Sequence, residues 1–330
     1  MAHTNNYLES DFVSAPVDIE TFLMDPNYLG TTYGKNLYPY WLDKLKKIFP
    51  TPLSSSCYEV MLAGSIGSGK TYAICGGILY DLYRLTLLKD PQKKWLILPS
   101  TPIQIGIIIS PNVDNSIISD IYLDCITNSP YFKKQLLPGK GDILEQDMFP
   151  NHIGFTYLSK ATPILGRAFI GAILDDGIID NALYDHKTVL TIKNPIELYT
   201  SIKRRMITRF MGATGETPGR MWSITYPGSK LYSFIKENAY GSSTMFIEPA
   251  IWDVQGFKGI YCGDMFLVYL GTKTEEPRII KESENTYDSS LVISVPIEYY
   301  GDFEKNTIGA LKDLAGILPQ YDETWKINKV

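Results

Sequence analysis

The sequence predicts an α/β fold: a mostly parallel sheet covered by helices on both faces, with a small C-terminal lid or linker subdomain. Three observations predict it. From Cys57 onward, short apolar runs alternate with amphipathic stretches, the pattern of buried parallel strands separated by helices. The octapeptide "GSIGSGKT", Gly64 to Thr71, lies between a strand-like run, "CYEVMLA", and a helix-like run beginning "YAICGGILYDLYRL". Finally, 330 residues with 45% hydrophobic and 20% charged content can bury a sizeable core and exceed the usual size of a single one.

Residues 1–56 read as a leading helical segment packed on the core. Within it "DIETFLMDPNYLG" and "LYPYWLDKLKKIF" are short amphipathic patterns, closed by the turn-like "PTPLSSS". The core is expected over 57–240, with strands at 57–63, 103–110, 153–159, 169–176 and 221–225. Helices fall near 70–88, 114–127, 195–210 and 229–238. Over 241–330 the grammar weakens into strand-like pieces, "TMFIEPAIW", "DMFLVYLG" and "SLVISVPIEYY", and a last helix near "KNTIGALKDLAGIL"; this is the expected subdomain. No fixed-period repeat or low-complexity tract is visible.

Composition narrows the chemistry. A net charge of −5 argues against a protein coated in nucleic acid, although local patches can be basic. Cys57, Cys75, Cys125 and Cys262 have no C-x-x-C spacing, and His3, His152 and His186 lie far apart, so neither a zinc site nor a disulfide framework is indicated. The N-terminus has no secretory pattern and the apolar runs are too short to span a bilayer, which predicts a protein of a reducing cytoplasm with no membrane partner.

Gly64 to Thr71 satisfies G-x-x-x-x-G-K-[ST]. Glycines let such a loop fold tightly enough for backbone N–H groups to face phosphates, and the helix that follows adds its positive end. The nucleotide-binding set is therefore Gly64, Ser65, Ile66, Gly67, Ser68, Gly69, Lys70 and Thr71. Lys70 would reach the β- and γ-phosphates of ATP or GTP, and the Thr71 hydroxyl would ligate Mg²⁺. Such a site needs a carboxylate at a neighbouring strand end, and "FIGAILDD" supplies Asp175 for the metal side and Asp176 as the general base. An Asp at that second position is shorter than a Glu by one C–C bond of about 1.5 Å, which bears on the rate of hydrolysis.

Three further segments bear on what a nucleotide would drive. "IELYTSIKRRMITRF" puts Lys203, Arg204, Arg205 and Arg209 on one helix. "PGRMWSITYPGSKLYSF" ends a strand in Ser223, Thr225 and a Pro-Gly turn, placing small hydroxyls at the carboxyl edge of the sheet. Arg167 in "GRAF" stands eight residues before Asp175. Basic runs at 44–47, 89–94, 133–134 and 203–209 are candidate DNA contacts or solvated faces. Tyr40 and Trp41 are aromatics that could stack on a base or belong to the core.

Taken in order, these segments resemble the ATPase domain of tailed-bacteriophage large terminases. The resemblance covers most of the chain: "FLMDPNYLG" and "YPYWLDKLKKIF", "GSIGSGKT" as Walker A, "GAILDD" as Walker B, "SIKRRMITRF", "WSITYPGS" as the coupling motif, and "VPIEYYGDFEKNTIGALKDLAGI". It implies a RecA-like P-loop NTPase fold. It also implies a Mg²⁺-dependent ATPase that moves double-stranded DNA into a procapsid from a homo-oligomeric ring on the portal protein. A small terminase subunit is a further partner, and the setting is the cytoplasm of an infected bacterial host. Arg167 resembles the arginine finger, with Arg204, Arg205 and Arg209 as alternatives, while Ser223 and Thr225 would sense the γ-phosphate. The chain after the coupling motif is too short for the nuclease domain of full terminases, so a nuclease is expected to be absent. A helicase-type RecA ATPase, a P-loop kinase and a nucleotide switch stay open as alternatives.

Overall fold

The structure, a computed structural model, describes residues 7–108, 117–136, 149–158, 168–175, 195–212, 217–239, 244–281 and 288–321. The chain divides into two compact units. The first comprises Met1–Leu62, Gly69–Thr225 and Ser233–Phe246; the second comprises Ala63–Ser68, Tyr226–Tyr232 and Ile247–Val330.

The main sheet has six strands: β1 (Glu59–Leu62), β2 (Ile103–Ile108), β3 (Ile153–Leu158), β4 (Ala168–Asp175), β5 (Met221–Ile224) and β6 (Thr244–Ile247). Their order is β3-β2-β4-β5-β1-β6, and the β3–β2, β2–β4, β4–β5 and β5–β1 pairs are parallel. Parallel pairing brings the carboxyl ends of these strands to one edge, where ligands of open α/β sheets bind. β4 is buried along its whole length except at Asp175, as its apolar run "AFIGAIL" requires of a central strand.

Helices flank this sheet: α1 (Ile19–Met24), α2 (Pro39–Ile48), α3 (Lys70–Thr86), α4 (Pro91–Lys94), α5 (Ile117–Asn128), α6 (Pro130–Gln135), α7 (Pro195–Phe210) and α8 (Lys230–Asn238). The Asp18 carboxylate caps α1 by accepting from the Thr21 N–H at 2.9 Å, and α2 opens on Pro39, whose missing N–H costs nothing in a first turn. α3 is buried continuously from Ala73 to Thr86 and serves as the axis of the unit, with Asp81 and Arg84 as its buried charges. It packs on α2, α5 and β5, while α7 packs on β4. The leading segment attaches to α3 through rings: Phe22 stacks on Tyr83 at 4.8 Å, and Tyr33 lies parallel to Tyr72 at 4.2 Å. The two latter phenols also donate to each other's carbonyls, at 2.5 and 2.8 Å, which gives the abundant tyrosines an apolar body and a satisfied polar tip.

The second unit carries its own antiparallel sheet, in the order β8-β7-β9, from β7 (Met265–Tyr269), β8 (Arg278–Ile279) and β9 (Val292–Pro296). α9 (Ile251–Gln255), α10 (Tyr300–Lys305) and α11 (Thr307–Ala310) accompany it, and α11 runs into a π-helical turn, Leu311–Ala315. Phe266, Val268, Val295, Phe303, Leu311 and Ala315 form its core. Among the described residues no helix is long and apolar enough to cross a membrane.

Candidate functional site

β1 ends at Leu62 and α3 begins at Lys70, so "GSIGSG" lies in the turn between them and Lys70 and Thr71 open the helix. Three glycines shape that turn: Gly64, Gly67 and Gly69 have φ of 90°, 72° and 79°, values that residues with a Cβ rarely adopt. The Ser68 hydroxyl donates back to the Ser65 carbonyl at 2.9 Å. At the front of the loop the Ser65 N–H donates to Pro249 O at 3.0 Å, and the Ile66 N–H donates to Asp313 O at 2.7 Å. The Ile66 side chain is 67% exposed, so its packing adds little to holding the loop.

Lys70 is the electrostatic centre. Burial pushes its ammonium down to about 8, and the charge of Asp175 opposes the shift. Register explains how Asp175 comes to act there. It pairs with Ile224 of β5, which pairs with Leu62 of β1, so two strand spacings, about 10 Å, separate its backbone from the start of the loop. β5 is the strand between them, and this adjacency is absent from the linear order of strands. Ser223, opposite Met61 and Leu174, is fully buried, and its Oγ has no hydrogen-bond partner among the described residues. Thr225 follows, 3% exposed, with its N–H donating to Leu62 O at 2.9 Å.

The other candidates divide into three groups. Arg167 and Asp176 lie outside the described residues. Arg204, Arg205 and Arg209 are all on α7, the first exposed and the other two half-buried. Of the two aromatics, Trp41 is 1% exposed with its Nε1 3.5 Å from where a Cβ on Gly69 would stand, and Tyr40 meets Trp41 edge-on at 5.1 Å. Trp41 is therefore a core residue beneath the loop. Tyr38 also borders the loop, with ring atoms 3.7 Å from the same point.

Basic residues of the sequence runs prove to be engaged. Lys46 pairs with Glu20 at 2.5 Å, Lys47 with Asp43 at 2.7 Å and Lys94 with Asp11 at 2.7 Å. Lys203 reaches a buried carboxylate, Glu59, at 3.0 Å. Glu59 also accepts from Tyr199 and, at 2.6 Å, from the Thr244 hydroxyl. Burial and the neighbouring Glu59 charge push the Tyr199 phenol far above its ordinary value. A glutamate inside the apolar run "CYEVMLA" is the signal that could have revealed this network, because a buried acid must be partnered. A second buried group escaped the sequence reading altogether: Asp81 takes Arg220 at 2.9 Å through both oxygens and Arg84 at 2.6 Å.

The arrangement suits a polyphosphate with a divalent cation. A loop of backbone N–H groups followed by a half-buried ammonium matches the charge of the one. A hydroxyl at Thr71 and a carboxylate at Asp175 form the sparse protein ligand set that magnesium accepts beside phosphate oxygens.

Fold and site together define an α/β protein with a mostly parallel sheet and a phosphate-loop sequence at the carboxyl end of its strand β1. The chain is similar to the large terminase of bacteriophage HK97, at 14% identity and a TM-score of 0.44 over 71% of this chain and 43% of that one. It is also similar to a large terminase from a thermophilic bacteriophage, solved in complex with ADP, at 9% identity and a TM-score of 0.39 over 86% of this chain and 76% of that one. The chain thus spans less than half the length of the HK97 protein. No family model matches the chain, and no curated protein does.

Proposed function

We propose that this chain is the ATP-hydrolysing motor unit of a viral DNA-packaging machine, one that drives double-stranded DNA into a procapsid. The observation that carries the nucleotide part is the electrostatic meeting of Lys70 and Asp175 beside β5, at the edge where the phosphate loop lies. The packaging part is supported by the ordered motif set, above all an arginine-rich helix followed by a strand ending S-x-T-x-P-G.

In this reading Lys70 neutralises β- and γ-phosphate oxygens, and Thr71 and Asp175 would hold Mg²⁺, which would supply charge screening for the transferred phosphoryl group. Asp176 accepts the proton of the attacking water as its oxygen bonds to the γ-phosphorus and ADP departs. Arg167, or one of Arg204, Arg205 and Arg209, stabilises the developing charge, within the subunit or from a neighbour in a ring. Ser223 and Thr225 register the loss of the γ-phosphate. The partners are DNA, the portal protein of the procapsid and a small terminase subunit, in the cytoplasm of an infected bacterium.

The test is phosphate release by the purified chain with Mg²⁺ and ATP, with and without duplex DNA. DNA-stimulated release that vanishes in Lys70→Ala is the expected result. Strand separation would make it a helicase, phosphate appearing on a small acceptor would make it a kinase, and tight binding without turnover would make it a switch. Mixing Arg167→Ala with Lys70→Ala protein restores activity only if the arginine acts on a neighbouring subunit's nucleotide.

A further inference from the structure

Within the second unit, backbone contacts hold the front of the phosphate loop, Gly64–Ile66. The π-helical turn Leu311–Ala315 ends at Gly316, whose φ is 68°, and the Gly316 and Ile317 N–H groups both close back on Leu311 O. A π turn is wider than an α turn and commonly marks a site where a helix has been reshaped for use. Here Leu311 and Ala315 are anchored in the unit's core, while the Asp313 carbonyl is turned out to accept the Ile66 N–H at 2.7 Å.

Contact is close enough that no side chain fits between. A Cβ on Gly316 would stand 2.4 Å from Gly64 Cα and 2.6 Å from Ser65 N. On the loop's other flank, a Cβ on Gly64 would stand 2.5 Å from Pro249 O, the same carbonyl that accepts the Ser65 N–H. Three stretches of main chain therefore meet at Gly64–Ile66. The amides of Ser65 and Ile66 are spoken for by protein carbonyls, whereas the amides a polyphosphate would meet follow them in the loop. The Ile66 side chain is largely exposed, and the Asp313 carbonyl anchors its amide.

We propose that the Leu311–Gly316 turn is a positioning element of the nucleotide site, holding the front of the phosphate loop in its phosphate-accepting shape through Asp313 O and the side-chain-free contact of Gly316 with Gly64. The inference rests on the nucleotide reading of the loop. Asp313 acts here through its carbonyl, so its side chain is replaceable, while Gly316 is not.

The experiment compares Gly316→Ala with Gly301→Ala, a glycine with nothing within 4 Å of its added carbon, and with Lys70→Ala, all in the full chain. Read-outs are equilibrium binding of a fluorescent ADP, ATPase KM and kcat, and hydrogen exchange of the peptide covering 63–69 in nucleotide-free protein. Expected are wild-type behaviour for Gly301→Ala and, for Gly316→Ala, binding weaker by about tenfold or more with KM raised and kcat within about twofold. The 63–69 peptide should exchange slowly in the wild type and fast in Gly316→Ala. Loss of binding in Lys70→Ala but not in folded Gly316→Ala overturns this inference alone. Wild-type protein that binds no nucleotide overturns the reading of the loop and this inference with it. Should Gly316→Ala not fold, an Ile66 amide that exchanges at the free-peptide rate in the wild type overturns the inference, and a protected one upholds it.

Discussion

The two edges of the main sheet bury charge in opposite ways. At the amino edge, Glu59 opens β1 and is met by Lys203, Tyr199 and Thr244. Beside it Arg220, the residue before β5, shares the Asp81 carboxylate with Arg84, and the surplus positive charge rests on ring faces, with Arg84 4.9 Å and Arg220 4.5 Å from the Phe49 centroid. At the carboxyl edge, Lys70 is partly buried, and the Asp175 charge does not offset its desolvation. An edge whose buried charges meet carboxylates and ring faces of the protein itself serves the fold. An edge with an under-compensated cation is prepared for an anion that arrives from outside.

The largest effect should come from breaking the matched edge. Asp81→Ala leaves two arginines, each at most 1% exposed, without their shared carboxylate, and should cost about 3–5 kcal/mol in a denaturant titration. Lys70→Ala inverts the outcome: unfolding free energy is unchanged or raised, while hydrolysis falls by about 100- to 1,000-fold. If Lys70→Ala instead destabilised the chain as Asp81→Ala does, the contrast between the edges would collapse.

Legibility in the sequence follows the same contrast. Strands built of continuous apolar residues and the glycine-bounded loop are local patterns, and all five expected core strands appear within two residues of their predicted ends. What stayed hidden is long-range. Lys203 reads as part of a basic run because its partner Glu59 lies 144 residues away, and Arg220 reads as a loop residue because Asp81 is 139 residues distant. The placement of β5 between β1 and β4 is equally invisible in chain order, yet it determines how Asp175 faces the loop. The Asp313 carbonyl carries no side-chain signature at all.

Glu59→Gln sharpens the comparison at smaller amplitude. It keeps the shape but removes the charge that Lys203 and Tyr199 address, and should cost about 1–3 kcal/mol while leaving nucleotide affinity unchanged. The pH dependence of the carboxyl edge is its counterpart. Because burial lowers Lys70 to about 8 in the empty site, its ammonium destabilises the nucleotide-free fold below that pH, and the penalty fades as pH rises toward the ordinary lysine value. A bound polyphosphate favours the charged form, so affinity should fall as pH climbs above about 8, by up to about tenfold per pH unit. Fluorescent ADP titrations across that range check the slope, and Lys70→Arg should flatten it.

The smallest effect separates the edges by sign alone. Ser54, before β1, is fully buried and its hydroxyl bonds Thr51 at 2.7 Å, so Ser54→Ala should lose about 1 kcal/mol of stability. Ser223, at the carboxyl edge, is as deeply buried, but its hydroxyl has no partner among the described residues. Removing it relieves a desolvated group at nearly constant volume, so Ser223→Ala should gain about 1 kcal/mol in the nucleotide-free chain. A hydroxyl kept at such a cost is explained if its partner arrives with the nucleotide. The stabilisation that saturating nucleotide confers on the melting temperature should then be smaller in Ser223→Ala than in the wild type. Equal nucleotide-induced shifts in the two proteins would reduce Ser223 to a packing residue and leave Thr225 alone at the end of β5.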